Sequence, residues 1–263
     1  MPLHVREIHP RPPHGPPVVF LHPGPGLDGS VFLPGAQRVA DAGFRVLLAD
    51  LPGSGRSPAA DWTLAGYAEA VEDMVNELGL SGFTLLGHSF GGYVAMQHLV
   101  DYGTADRYVA SCTDAEEEPA PGVSEDRWDD MAPEVEAAFE REATVSTPEE
   151  CHEVWRDQLP FFANHPAAVE PMLDKVVFQP EAHHEHDIGE LHALDALAAF
   201  PGPVLAIAGA DDRAQPPGNA RRIAHAAPNG ELLIIDGAGH FPFAETPDGY
   251  WPPLIDWLTR TSS

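Results

Sequence analysis

Six short apolar runs, spread along most of the chain and separated by helical or Gly/Pro-rich segments, limit what this sequence can fold into. They lie at 18–21, 45–50, 83–86, 107–112, 204–208 and 232–235. Runs that are mostly apolar along their length, instead of alternating strictly with polar residues, suit strands buried on both faces, as in a parallel sheet covered by helices. Helical signals fill several of the intervals. Leu64, Tyr67, Ala68, Val71, Met74, Val75 and Leu78 recur at helical spacing, with Asp61 or Thr63 placed to cap them. An apolar helix is expected from Gly92 through Leu99, another near 219–226 and a last one near 250–258. With 263 residues and 43% hydrophobic content, the chain suffices for one such α/β domain.

Residues 114–190 interrupt this rhythm. Helix-like patches occur near 134–142, 149–158 and 167–176, with no strand signal between them. The stretch holds 22 of the 41 acidic residues and four of the 14 basic ones, so it carries −18 of the net charge of −27. The expected organisation is a core formed by 1–113 and 191–263, with 114–190 inserted as an acidic helical cap. A surface this acidic repels nucleic acid and anionic lipid, which leaves neutral or cationic small molecules as partners. It also suits salty surroundings, where counterions screen self-repulsion. No apolar run approaches the ~18 residues of a membrane span. The first ten residues lack the apolar stretch of a secretory signal. Cys112 and Cys151 are too few for a disulfide framework, so a cytoplasmic setting is expected. Oligomeric state leaves no mark in the sequence.

Gly87-His88-Ser89-Phe90-Gly91 fits the Gly-x-Ser-x-Gly pattern between an expected strand and an expected helix. A strand that turns abruptly into a helix leaves the serine exposed at the tip, and small flanking residues let neighbouring chains pass close. Without that context the pattern would be an ordinary glycine-rich turn. A serine hydroxyl needs a base, and the base needs an orienting carboxylate. Among 14 histidines, His240 in Gly237-Ala-Gly-His-Phe-Pro-Phe follows the last strand run, and strand C-terminal ends are where such sheets hold ligands. The rival group His183-His184-Glu185-His186-Asp187 matches no zinc spacing and reads as a solvated loop. For the acid, Asp211 and Asp212 follow the run at 204–208, and Asp114 follows the run at 107–112. Only one of two adjacent aspartates can face His240.

A developing oxyanion needs two N–H donors. One is the amide of Phe90, next after the serine. The other belongs to the loop His22-Pro23-Gly24-Pro25-Gly26, where the prolines have no N–H and the candidates narrow to Gly24 and Gly26. Gly24 lies nearer the strand end. No metal and no cofactor is implied.

Together these residues resemble the α/β-hydrolase superfamily over nearly the whole chain: the His-x-Gly loop, Asp50 with Gly53-x-Gly-x-Ser57, the serine motif, Gly209-x-x-Asp212 with Pro216, and Gly239-His240. The resemblance implies the α/β-hydrolase fold, a mostly parallel sheet with flanking helices and an inserted cap. It also places the acid three residues after the strand-end glycine, which selects Asp212. The loop and serine motifs look most like the proline iminopeptidase branch, although Pro23 replaces a glycine. Some members of that branch carry a glutamate after the acid to hold a substrate amine, and Arg213 stands there instead. Glu181 lies roughly where such relatives keep a cap glutamate. Members usually have two strands before the 18–21 run, and there is room for little more than one. The implied activity is a serine hydrolase of the ester or amide type. Release of N-terminal proline is the alternative, and a non-catalytic ligand-binding relative is the third reading.

Overall fold

The computed structural model describes residues 2–9, 15–59, 61–116, 118, 120–121, 123, 128, 130–185 and 189–262. The chain starts with β1 (Val5–Ile8) and β2 (Pro17–Leu21), then a 3-10 turn Gly29–Phe32, α1 (Leu33–Asp41), β3 (Arg45–Ala49) and α2 (Leu64–Glu77). It continues through β4 (Thr84–His88), α3 (Phe90–Asp101) and β5 (Arg107–Ser111). Four helices follow: α4 (Pro133–Glu142), α5 (Pro148–Phe162), α6 (Pro166–Leu173) and α7 (Pro180–Glu185). After α8 (Leu194–Ala199) come β6 (Val204–Gly209), α9 (Pro217–Ala226), β7 (Gly230–Ile235), α10 (Pro242–Glu245) and α11 (Pro247–Thr261).

The seven strands form one sheet in the order β1-β3-β2-β4-β5-β6-β7, with β1 antiparallel to β3 and every other pair parallel. All six expected strands are present, and among the described residues β1 is the one strand ahead of β2. Side chains alternate across the sheet. Phe20, Val46, Leu48, Leu86, Val109 and Ile207 face α1 and α11 in one cluster. Val19, Leu21, Leu47, Leu85, Tyr108 and Ala206 face α2, α3 and α9 in the other. That two-sided burial explains why the strands read as continuous apolar runs.

Capping at α2 uses both candidate residues: Thr63 Oγ1 accepts from the Gly66 amide at 3.1 Å, and Asp61 Oδ1 accepts from the Thr63 amide at 3.1 Å. The three helical patches of the acidic stretch become α4, α5 and α6, and Thr147 with Glu150 closes a capping box on α5. Apolar residues of α5 and α6 continue the first cluster, with Cys151, Val154, Leu159 and Met172, and Phe178 after them, in the same cluster as Phe32, Phe241 and Phe243. Val135 of α4 packs in a separate small cluster with Phe161 and Ala214. One expectation is corrected. The histidine-rich stretch read as a loop begins as α7, whose first residue is a proline suited to a helix start. Residues 186–188 lie outside the described residues.

Candidate active site

Ser89 sits between the end of β4 and the start of α3, with φ +53° and ψ −119°, a backbone conformation that costs a non-glycine residue ~1–3 kcal/mol unless its surroundings enforce it. They do. The Ser89 amide donates to Ser111 O at 2.9 Å, and its carbonyl accepts from the Gly92 amide at 2.8 Å, the Tyr93 amide at 3.2 Å and the Thr113 hydroxyl at 2.9 Å. The flanking glycines allow the close passage the motif requires. A Cβ on Gly87 would collide with the Gly91 carbonyl, and one on Gly91 with the carbonyls of Leu21 and His22.

The other predicted residues converge on this serine. His240 Nε2 lies 2.9 Å from Ser89 Oγ, and His240 Nδ1 lies 2.8 Å from Asp212 Oδ2. Asp212 is buried, and its second oxygen accepts from the Gln215 amide at 2.8 Å. Asp211 is exposed and holds the Asn164 side chain at 2.7 Å. Asp114 is also elsewhere: it pairs with Arg222 at 2.5 Å, although burial still lifts its carboxyl above the usual range. Of three candidate acids, only Asp212 meets the histidine.

β2 pairs with β4 so that Leu21 lies opposite Gly87, which leads the loop 22–26 out beside the serine turn. Gly24 has φ +126°, a region open to glycine and strained for other residues. His22 fixes this loop from below. The Leu51 amide donates to its Nε2 at 3.0 Å, so the proton resides on Nδ1 and is donated to Pro23 O at 2.6 Å. Burial holds His22 below its usual pKa, which favours that neutral tautomer. Phe90 opens α3, so its amide stands at a helix N-terminus, where negative charge is favoured.

His88, Cys112 and His240 offer ligand atoms within 4.8 Å of one another, all buried. They do not suit a resident metal. Both nitrogens of His240 already face Asp212 and Ser89, and a metal-binding cysteine must be a thiolate. Burial and the nearby Asp212 carboxylate push the Cys112 thiol well above its ordinary range. His88 is held well below its usual pKa, first by burial and then by its neighbour His240. Its Nδ1 lies 3.0 Å from Ser111 Oγ, so it buttresses the strand end as a neutral ring.

The two weaker candidates are not drawn into this constellation. Glu181 is exposed on the first turn of α7, and none of its contacts among the described residues is with Ser89, His240 or Asp212. The turn before it is anchored to the 22–26 loop, since the Gln179 amide donates to Gly26 O at 3.1 Å. Arg213 is half-buried with its guanidinium 5.0 Å from the Phe161 ring centroid. The sequence reading missed Glu245, whose carboxylate accepts from the amides of Gly239 and Phe241 on either side of His240. No helix among the described residues is long and apolar enough to cross a membrane.

Residues 18–251 match the sequence model described as "Alpha/beta hydrolase family". A proline iminopeptidase of Lactobacillus delbrueckii subsp. lactis is 26% identical over 266 residues, spanning 92% of this chain and 90% of that protein. A non-heme chloroperoxidase of Kitasatospora aureofaciens is 28% identical over 240 residues, 86% of this chain and 85% of that one. Among solved structures, a thermophilic esterase from Thermogutta terrifontis superposes with a TM-score of 0.78 at 24% identity, covering 99% of this chain and 94% of the other.

Proposed function

The chain belongs to the alpha/beta hydrolase family, and on that premise we propose that it is a serine hydrolase that cleaves an ester or amide of a small molecule through an acyl-enzyme. The observation that carries the proposal is the continuous chain from Ser89 Oγ to His240 Nε2 at 2.9 Å and from His240 Nδ1 to Asp212 at 2.8 Å. Ser89 Oγ attacks the carbonyl carbon while His240 Nε2 takes its proton. Asp212 accepts from Nδ1–H, which fixes the tautomer and stabilises the imidazolium. The amides of Gly24 and Phe90 receive the oxyanion. His240 then protonates the leaving group, and in the second half it deprotonates the water that hydrolyses the acyl-enzyme.

Residues 114–190 act as a cap in this reading. The Phe162 ring, 5.5 Å from the His240 ring, supplies an apolar surface beside the base. The acidic charge of the cap favours neutral or cationic substrates over anionic ones. Arg213 bears on the alternative. A proline iminopeptidase is among the relatives, and its reaction would require an acidic group for the substrate's terminal amine. The residue after Asp212 is instead an arginine held over Phe161. Neutral esters are therefore the preferred class.

The test is a panel of p-nitrophenyl esters with neutral, cationic and anionic acyl groups, run beside Pro-p-nitroanilide. Turnover of the neutral and cationic esters, with the anionic one poorer at low salt, supports the proposal. Turnover confined to Pro-p-nitroanilide would select the aminopeptidase reading, and no turnover of any member would remove both.

A further inference from the structure

Glu245, the last residue of α10, is 8% exposed, and four main-chain N–H groups meet its charge. Oε1 accepts from Gly239 at 3.0 Å and Phe241 at 3.1 Å, the residues flanking His240. Oε2 accepts from Asn164 at 2.7 Å and His165 at 3.1 Å, in the turn between α5 and α6. The same two segments touch directly. The His240 amide donates to Phe162 O at 2.6 Å, and a Cβ on Gly239 would stand 2.5 Å from that oxygen. The Asn164 side chain continues to Asp211, beside the acid of the triad.

This arrangement calls for a carboxylate. An ionised carboxyl has acceptor sites on both oxygens and no donor, so it can satisfy two amides on each side. A glutamine would present its NH2 to one of the two amide pairs. An aspartate, one methylene shorter, would fall short of one side.

We propose that Glu245 is a positioning residue for His240, joining the α5–α6 turn and the histidine loop into one unit so that the inserted helices set where the base stands. This rests on the reading of His240 as the general base. It implies that the cap cannot swing freely at this corner; displacing the α5–α6 turn would displace Nε2 from Ser89.

The test uses Glu245→Gln in the full chain, with steady-state kinetics on the best neutral p-nitrophenyl ester and hydrogen exchange followed by mass spectrometry. The expected result is a fall in kcat of about 100-fold, the scale set by a base misplaced by about an ångström, with KM little changed. Exchange should accelerate together in peptides covering 162–165 and 239–245. If Glu245→Gln does not fold, Gly239→Ala replaces it, because the added methyl forces the same two segments apart while leaving Glu245 intact. A variant with lowered melting temperature but wild-type kcat below that temperature would reduce Glu245 to a structural role and overturn the proposal. Faster exchange in only one of the two segments would also overturn it. If the wild-type chain turns over no ester, the hydrolase reading fails by itself, and joint or separate exchange still decides whether Glu245 couples the segments.

Discussion

The Asp212 carboxylate faces His240 Nδ1 at 2.8 Å from a buried position, while the adjacent Asp211 points outward to the Asn164 side chain. Adjacent residues with the same functional group therefore meet different partners. Asp212→Asn should lower kcat by about 10⁴-fold, because an asparagine has one oxygen for the two N–H groups that Asp212 serves, and its NH2 turned toward Nδ1 would select the unproductive tautomer. Asp211→Asn should stay within a few-fold of wild type. Steady-state kinetics on the two variants decides the matter; the reverse order of effects would exchange their roles.

Gly91 packs α3 against the end of β2 with no room for a methyl group. Gly91→Ala should cost about 1–3 kcal/mol through overpacking. It should also reduce kcat beyond the loss of folded protein, because the first turn of α3 moves away from the 22–26 loop. Urea unfolding and kinetics at a temperature where the variant is fully folded separate the two effects. Unchanged stability would show that the backbone yields more easily than its contacts suggest.

Three buried histidines make the fold sensitive to acid. Burial holds His22, His88 and His98 below the ordinary value of 6.5. The unfolded chain binds protons that the folded one refuses, so their contribution is intact above about pH 6.5 and is lost as pH falls below it. Each proton adds a slope of about 1.4 kcal/mol per pH unit, so three give up to about 4 kcal/mol per unit. Urea unfolding between pH 7.5 and pH 5 should show the midpoint falling steeply. A flat profile would mean that the rings are protonated within the fold.

The net charge of −27 predicts a response to salt. Self-repulsion, concentrated in residues 114–190, should ease as the Debye length falls through ~10 Å near 0.1 M salt. Melting temperature should rise over that range and level off. No change from low to molar salt would show that the acidic side chains are too dispersed to repel one another.

Much of this was legible in the sequence because it rests on local constraints. The strands announced themselves by being apolar on both faces, and Ser89 by the strand-to-helix turn that its glycines permit. His240 was visible from its place after β7. The choice between Asp211 and Asp212 was not written in the spacing of this chain alone; it depends on which carboxylate the backbone turns inward. Glu245 was invisible for a different reason. Its partners Asn164 and His165 are 81 and 80 residues away, and they are main-chain amides, which carry no side-chain signature. α7 was missed because a run of histidines and acids looks like a solvated loop. Glu181 and Arg213 are singled out only by the family resemblance at their positions in the chain, and neither position determines where a long side chain on a helix of residues 114–190 or on a strand-end loop will point.

The central claim is that Ser89 is a nucleophile activated by His240. Its most direct test is reaction of the full chain with a fluorophosphonate, read by intact mass and peptide mapping. The account predicts one adduct, located on Ser89, absent from Ser89→Ala and formed far more slowly in His240→Ala. Labelling at another residue, or a Ser89→Ala protein that still hydrolyses the preferred ester at the wild-type rate, would contradict it.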